Sequence, residues 1–233
     1  MGKQVLIIED EISIQRILQF ELKQSGFLVD VASDGEAGLK KALENKYDVI
    51  LLDIMLPKKD GFSVCKELRQ QNNSTYIVML SARDEEFSRV KGLDVGADDY
   101  MTKPFSTKEV VSKIKAIIRR KEMLTPSEVE KQDNKLIYRH IKLNPNKFEV
   151  TSDGVKIEFT LKEYELLAFL IEKKGKALSR DELLDHLWGV EYYGDTRVVD
   201  VHIFKIRDKL KPHGIKIKTI RGVGYMLEDE THD

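Results

Sequence analysis

Five side chains that could handle a phosphoryl group follow short apolar segments in the first half of the sequence. Glu9 and Asp10 come after the first segment and Asp53 after the third, and Ser81 and Lys103 follow the fourth and fifth. Three neighbouring carboxylates repel one another and need a cation, and an all-oxygen ligand set suits Mg²⁺. An aspartate flanked by this ion could attack a phosphoryl donor, while the lysine ammonium and the serine hydroxyl neutralise the phosphoryl oxygens.

These side chains meet only if the segments before them are parallel strands of one sheet. The apolar pattern predicts strands over residues 5–8, 28–31, 49–52, 77–80 and 99–101. Helical periodicity predicts helices over residues 12–23, 35–45, 62–70, 85–95 and 108–120. Ser33 with Glu36 and Ser106 with Glu109 match the capping box. The alternation predicts an α/β fold with a doubly wound, five-stranded parallel sheet, whose ligands bind at the carboxyl ends of the strands.

Other phosphate-handling enzymes fit the sequence less well. It contains no G-x-x-x-x-G-K-[ST] motif of a P-loop NTPase, and Glu-Asp-Glu stands where a dinucleotide site has G-x-G-x-x-G. An aspartate-based phosphatase would carry a second Asp, as general acid, two residues after the nucleophile, and Met55 occupies that position. A phosphate on Asp53 should therefore persist, which favours a switch over a hydrolase. A phosphohydrolase with another general acid is the alternative.

Composition indicates a globular chain. Its 233 residues, with 39 basic and 40 acidic side chains and a net charge of −1, suit one large domain or two ordinary ones. No apolar run approaches the roughly 18 residues of a membrane span, and the first residues do not resemble a signal peptide. The single cysteine, Cys65, excludes an internal disulfide framework. We therefore expect a cytoplasmic protein with no membrane partner.

The near-zero net charge is an average over two differently charged parts. Between Thr196 and Gly224, eight basic residues stand against two acidic ones. This segment therefore carries +6 and the rest of the chain −7. A local basic segment of this kind is typical of a nucleic-acid-binding surface.

The pattern of the chain changes after residue 121. Residues 122–134 are polar and aperiodic, which predicts a linker between a first domain over residues 1–121 and a second over residues 135–233. The second domain begins with short strands over residues 136–138, 147–151 and 155–158. Three helices follow, opened near Thr160, Ser179 and Thr196, and a hairpin over residues 216–228 closes the chain.

The last predicted helix has two distinct faces. Its apolar residues fall within a narrow arc that should face the core: Val199, Ile203, Ile206 and Leu210. The opposite side presents Arg197, Val201, Phe204, Lys205 and Asp208. Such a face suits the DNA major groove, and Arg221 at the tip of the glycine-rich hairpin suits the minor groove. A solvated amphipathic helix beside a structural hairpin is the alternative.

Residues 1–121 resemble the receiver domain of bacterial two-component response regulators, which has a flavodoxin-like fold. The motifs are Glu9-Asp10, Asp53 with Leu56-Pro57-x-x-Asp60-Gly61, Ser81-Ala82-Arg83, and Gly96-Ala97-Asp98-Asp99-Tyr100-x-x-Lys103-Pro104-Phe105. The resemblance implies that a cognate sensor histidine kinase phosphorylates Asp53. It implies Mg²⁺ bound by Glu9, Asp10, Asp53 and the backbone carbonyl of Met55. It also implies a switch pair of Ser81 and Tyr100, a phosphate-binding Lys103, and a cis bond between Lys103 and Pro104.

The same resemblance implies that the phosphorylated protein forms a homodimer through the fourth helix, fifth strand and fifth helix. In related regulators, acids and bases at matching places pair across a two-fold axis, here Arg89 with Glu109, Asp94 with Lys115 and Asp99 with Lys113. Lys113 stands where the family usually has arginine, so the bidentate geometry is lost and this pair should be weaker. An ordinary solvated charged face is the alternative.

Residues 135–228 resemble the winged-helix output domain of the OmpR/PhoB class, an α+β fold. The motifs are Phe159-Thr160-x-x-Glu163-Tyr164-x-Leu166-Leu167, Ser179-Arg180-x-x-Leu183, Val199-Asp200-Val201-His202-Ile203 and Arg221-Gly222-Val223-Gly224-Tyr225. They imply binding to direct or inverted half-sites in double-stranded promoter DNA through Arg197, Val198, Val201, His202, Lys205, Arg207, Thr219 and Arg221, with His202 on a phosphate. They also imply contact with RNA polymerase through the loop at residues 188–195, for which plain connecting structure is the alternative.

The sequence thus predicts a phosphorylation-dependent bacterial transcription regulator rather than an enzyme, apart from slow loss of its own phosphate. A DNA-binding protein whose receiver serves only for dimerisation is the remaining alternative.

Overall fold

The computed structural model describes residues 2–82, 95–123, 136–145, 147–189 and 196–228. They fall into two compact units that divide the chain between Met123 and Leu124. The predicted helix over residues 85–95 and the predicted linker over residues 122–134 lie almost entirely outside the described residues, as do Arg89 and Asp94.

The N-terminal unit contains a five-stranded parallel sheet in the order β2-β1-β3-β4-β5, which confirms the predicted architecture. The strands are β1 (Gln4–Ile8), β2 (Leu28–Ala32), β3 (Val49–Asp53), β4 (Tyr76–Ala82) and β5 (Asp99–Lys103). The described helices are α1 (Ile12–Gln24), α2 (Gly35–Glu44), α3 (Gly61–Gln70) and α4 (Thr107–Met123).

The central strands β1 and β3 place two acidic residues side by side. The side chains of residues 5–8 and 49–52 are fully buried, as expected of parallel strands covered on both faces. The strand order reverses between β1 and β3, and ligands of such sheets bind outside the carboxyl ends of the strands at this point. Ile8 pairs with Leu52 there, so Glu9 and Asp53 both emerge at the same edge.

The predicted capping box at Ser33 is wrong. Asp34 caps α2 instead, because the backbone N–H of Ala37 donates to Asp34 Oδ1 at 2.8 Å. The helix begins one residue later than the box requires, and an aspartate there also places negative charge at the positive end of the helix dipole. Ser106 does accept from the backbone N–H of Glu109, at 3.1 Å.

The C-terminal unit is an α+β fold with two small sheets. An antiparallel sheet of β6 (Leu136–Tyr138), β7 (Ile141–Asn144), β8 (Glu149–Ser152) and β9 (Val155–Ile157) precedes α5 (Leu161–Glu172), α6 (Arg180–Trp188) and α7 (Arg197–Leu210). β10 (Leu178–Ser179) pairs with the terminal hairpin, formed by β11 (Ile217–Ile220) and β12 (Gly224–Leu227). The sequence did not predict β7 and β10, and β10, with two residues, is too short to show a periodic signal.

The last helix, α7, buries the face that the sequence predicts. Val199, Ile203, Ile206 and Leu210 are fully buried. α5 begins with the predicted capping box of Thr160 and Glu163. Glu163 Oε2 also lies 2.5 Å from Lys209 Nζ, so the start of α5 is joined to the end of α7.

Candidate phosphoryl-acceptor site and candidate nucleic-acid interface

Glu9, Asp53 and Lys103 meet at the carboxyl edge of the parallel sheet. Lys103 Nζ lies 2.7 Å from Glu9 Oε2 and 2.8 Å from Asp53 Oδ2. Both acids are buried, whereas Asp10 beside them is exposed. One carboxylate oxygen from each of the three acids lies within 4.8 Å of the others. The strand ends therefore bring together the groups that the sequence predicts to converge.

The electrostatics of this site reflect crowding of like charges in a buried place. The pKa of Glu9 is raised to about 7; burial is the main cause, Lys103 opposes it and Asp53 adds to it. Burial alone would lower the pKa of Lys103, but its bonds to Asp53 and Glu9 outweigh burial and raise it. Glu9 is thus near the midpoint of its titration at neutral pH. A divalent cation would balance the charge of its ionised form.

The donor set fits Mg²⁺. Three carboxylates converge, and exposed Asp10 leaves the site open to the water ligands that Mg²⁺ retains. The main chain of Met55 lies beside the acids, because its N–H donates to Asp53 Oδ1 at 3.4 Å, while its side chain is exposed. The role of the Met55 carbonyl as a further ligand stays a prediction.

Gly61 allows α3 to begin close to the end of β3. A Cβ at this position would lie 2.1 Å from the backbone carbonyl oxygen of Asp53. The N–H of Gly61 donates to the carbonyl of Ile54 at 2.9 Å, which fastens the segment that follows Asp53. Gly61 ends the motif Leu56-Pro57-x-x-Asp60-Gly61, but this steric role could not be inferred from the sequence.

Ser81 supplies a hydroxyl next to the acids. Asp53 pairs with Leu80, so Ser81 is one residue further along β4. Its Oγ is buried and has no hydrogen-bond partner within the described part of the chain. Such a group is costly to leave unpaired, and a phosphoryl oxygen would provide an acceptor. On β5, Tyr100 is also buried, and the Lys103–Pro104 peptide bond is cis, as predicted.

The predicted dimer face is partly described. Glu109 and Lys115 are exposed. Asp99 is buried, and its Oδ2 lies 2.6 Å from Nζ of Lys113 in the same chain. Asp99 and Lys113 therefore form within one chain the pair that the resemblance implies across a dimer.

The last helix and the terminal hairpin form the second candidate site. Six residues of the predicted surface are exposed or half-buried: Arg197, Val201, Phe204 and Lys205 on the helix, and Thr219 and Arg221 on the hairpin. Basic side chains beside small or aromatic apolar ones can contact phosphates, base edges and thymine methyl groups. The outward face of the helix is therefore suited to a DNA groove.

Two residues of the predicted DNA surface have buried side chains. Val198 and His202 are each 1% exposed. The His202 ring packs against Trp188, with centroids 5.4 Å apart, and its Nδ1 lies 2.8 Å from the carbonyl oxygen of Val198. Burial, and next the charge of Lys205, lower the pKa of His202 to about 4. The ring is therefore neutral at pH 7.

Arg207 lies against the terminal hairpin. Its Nε and Nη2 donate to the carbonyl of Ile217 at 2.9 and 2.7 Å, and Nη2 donates to Thr219 Oγ1 at 2.8 Å. Asp200, two turns earlier, accepts from the Tyr225 hydroxyl at 2.7 Å. Sequence reasoning missed this network, although the i, i+7 spacing of Asp200 and Arg207 places them on one side of the helix.

Two protein families match the chain. The family described as "Response regulator receiver domain" matches residues 5–115, and the one described as "Transcriptional regulatory protein, C terminal" matches residues 154–227. No helix in the described ranges is both long and apolar enough to span a membrane.

Similar proteins match over nearly the whole chain. The alkaline phosphatase synthesis transcriptional regulatory protein PhoP of Bacillus subtilis (strain 168) is 49% identical over 235 residues, which cover 98% of each chain. The response regulator ArlR of Staphylococcus aureus (strain Mu50) is 42% identical over 226 residues, covering 96% of this chain and 99% of ArlR. Among solved structures, a mutant of RitR has a TM-score of 0.79 at 30% identity, with 98% of this chain and 100% of that chain covered.

Proposed function

The chain belongs to the OmpR/PhoB class of two-component response regulators, and we propose that it is switched by phosphorylation of Asp53. As a member, it is a phosphorylation-dependent transcription regulator with a receiver and a DNA-binding domain, and its partners are a cognate kinase and promoter DNA. The main support for Asp53 as the phosphoryl acceptor is its ion pair with Lys103, which also forms an ion pair with the buried Glu9. We also propose that the protein is located in the cytoplasm, because the promoter DNA that it binds is located there.

In the proposed reaction, a carboxylate oxygen of Asp53 attacks the phosphorus of a phosphohistidine on the kinase. The P–N bond breaks, and the imidazole leaves with the electron pair. Lys103 Nζ, 2.8 Å from Asp53 Oδ2, orients the carboxylate and stays close to the transferred oxygens. Glu9, Asp10 and Asp53 would hold Mg²⁺, which when bound would supply positive charge for those oxygens. The Ser81 hydroxyl donates to one of them.

The phosphoryl group adds about 1.5 to 2 negative charges at the edge formed by β4 and β5. Ser81 moves toward this charge, and Tyr100 changes its packing as the second member of the switch pair. Tyr100 directly follows Asp99, whose ion pair with Lys113 lies on the proposed dimer face. The switch therefore acts on the face through which the phosphorylated protein forms a homodimer, with Arg89, Asp94, Glu109 and Lys115 as further members.

On DNA, the last helix enters the major groove and the hairpin tip enters the adjacent minor groove. The proposed contacts are Arg197, Val201 and Lys205 on the helix and Thr219 and Arg221 on the hairpin. A dimer binds two half-sites, direct or inverted. The loop at residues 188–195 contacts RNA polymerase in this proposal, and residues 190–195 of it lie outside the described ranges.

Phosphorylation with a small donor tests the acceptor. The full-length protein incubated with Mg²⁺ and acetyl phosphate should gain one phosphoryl group by mass spectrometry, and Asp53→Asn should gain none. Glu36→Gln, which changes an exposed carboxylate on α2, is the control and should gain it like the wild type. Equal gains in Asp53→Asn and wild type would contradict the proposal. Sustained release of inorganic phosphate over many turnovers would favour the phosphohydrolase alternative.

A further inference from the structure

The guanidinium of Arg207 is engaged by both strands of the terminal hairpin. Three hydrogen bonds reach β11: two to the carbonyl of Ile217 and one to Thr219 Oγ1, all between 2.7 and 2.9 Å. On β12, the Tyr225 ring centroid lies 5.3 Å from Arg207 Cζ. Thr219 and Tyr225 are direct cross-strand partners. The Arg207 guanidinium of the last helix therefore contacts both members of one cross-strand pair of the hairpin.

Asp200 makes a second attachment between the last helix and the hairpin. Its Oδ1 accepts from the Tyr225 hydroxyl and from Arg180 Nε, each at 2.7 Å. Arg180 Nη2 also donates to the Tyr225 hydroxyl at 3.2 Å, and Arg180 Cζ lies 4.9 Å from the ring centroid. Tyr225 is therefore held by Arg180, Asp200 and Arg207 together.

The two attachments are spaced so that they fix an orientation. Asp200 and Arg207 are seven residues apart, which is about 10.5 Å along the axis and nearly the same side of an α-helix. One attachment would leave the hairpin free to rotate about it, whereas two fix both the distance and the angle between hairpin and helix. The tip that carries Arg221 directly follows Ile220, the last residue of β11.

We propose that Arg207 is a positioning residue that sets the hairpin against the last helix, with Asp200 as the second attachment, rather than a phosphate contact. This inference rests on the proposed binding of DNA by the helix and the hairpin. Arg207 acts through Arg221, because it determines where the tip meets the minor groove when the helix is in the major groove. Nη2 alone reaches both the Ile217 and Thr219 acceptors, and Nε makes a second bond to the Ile217 carbonyl. A lysine ammonium has a single nitrogen and cannot reproduce this planar two-nitrogen contact.

Lysine substitution separates positioning from phosphate contact. The probe is a duplex that the wild-type protein selects from a random-sequence library, and the full-length protein is first treated with Mg²⁺ and acetyl phosphate. If Arg207 contacted a phosphate, Arg207→Lys would keep most of the affinity for the duplex, because lysine is also a cation. If Arg207 positions the hairpin, a lysine cannot replace it. Arg207→Lys should then weaken binding by about tenfold, similar to Arg221→Ala. Binding by Arg207→Lys within about twofold of the wild type would overturn the inference.

A double substitution tests whether Arg207 acts through Arg221. In the Arg221→Ala background, Arg207→Lys should change the affinity by less than about twofold, because the contact that it positions is already gone. Losses that multiply in the double variant would mean that Arg207 touches DNA itself, and would overturn the inference. Tyr225→Phe, which removes the hydroxyl bonded to Asp200 and leaves Arg207 intact, should show the same dependence on Arg221. It provides the test if Arg207→Lys does not fold.

Failure of the proposed DNA-binding surface can be distinguished from failure of the inference about Arg207. If Arg221→Ala and Lys205→Ala both bind the duplex as the wild type does, the proposed DNA surface is wrong and the inference falls with it. If these two variants lose affinity while Arg207→Lys does not, only the inference is overturned. Unfolding followed by Trp188 fluorescence confirms that each variant is folded before its affinity is measured.

Discussion

Protonation of His202 should destabilise the C-terminal unit, because the charged imidazole has no access to water there. The side chain is 1% exposed, and burial lowers its pKa from 6.5 to about 4. The unfolded chain therefore binds a proton near pH 6.5, while the folded chain binds it only near pH 4. Stability is complete above pH 6.5 and is lost as the pH falls. At about 1.36 kcal/mol per pKa unit, the loss is about 2 kcal/mol between about pH 7.5 and 5.

Trp188 provides a local probe for this loss. It is the single tryptophan of the sequence, and its ring centroid lies 5.4 Å from that of His202. Urea unfolding followed by its fluorescence gives the free energy of unfolding for wild type and His202→Gln at both pH values. Because His202→Gln lacks the titration, the difference between the two proteins should shift by about 2 kcal/mol. His213→Gln, which changes a histidine elsewhere in the unit, is the control. A difference that does not depend on pH would refute a buried, neutral His202.

Three further predictions concern the N-terminal unit. In chelator-treated protein, Glu9→Gln should raise the free energy of unfolding above pH 7. The raised pKa of Glu9 means that the wild-type protein loses stability as the pH rises from 4.5, the ordinary pKa of a glutamate, through about 7. Urea unfolding followed by circular dichroism measures this, and a gain independent of pH would contradict it. By the same method, Asp34→Ala should lower the free energy of unfolding by about 1 kcal/mol, and Ser33→Ala should leave it almost unchanged. Equal losses in the two variants would favour Ser33 as the N-cap. Gly61→Ala should slow phosphorylation by acetyl phosphate about tenfold or more, because the added Cβ displaces the Asp53 backbone. Mass spectrometry gives the time course of phosphorylation, and a time course equal to that of the wild type would contradict this prediction.

The acceptor site could be predicted from the sequence because its geometry follows from topology. Glu9, Asp53 and Lys103 each stand at the end of a strand, and the parallel arrangement brings strand ends to one edge of the sheet. Apolar segments and helical periodicity are enough to infer that arrangement. The close approach at Gly61 could not be inferred in the same way, because it depends on the path of the backbone after β3.

The DNA-binding face could be predicted only in part. A helical wheel places His202 about 60° from Val199, at the border between the core face and the outer face. Whether a border residue is exposed depends on the neighbouring element, here Trp188 at the end of α6. Arg207 likewise is basic and outside the core arc, yet it is engaged by the hairpin. Charge and periodicity do not show whether an arginine faces a ligand or its own chain.

The N-cap residue of α2 could not be assigned from the sequence. Ser33 and Asp34 are adjacent and both are good N-cap residues, so the motif alone cannot fix the first residue of the helix. The structure places Asp34 there, and its second carboxylate oxygen accepts from Lys58 at 2.8 Å. This contact from a residue 24 positions away has no sequence signal.

The most direct test of the account is whether phosphorylation of Asp53 controls the affinity for DNA. Fluorescence anisotropy with the selected duplex measures that affinity for wild type and Asp53→Asn, each with and without acetyl phosphate in the presence of Mg²⁺. If phosphorylated Asp53 is the switch, treatment tightens wild-type binding by about 5- to 150-fold, the usual range of coupling between two sites, and leaves Asp53→Asn unchanged. The same response in both proteins, or none in either, would contradict it.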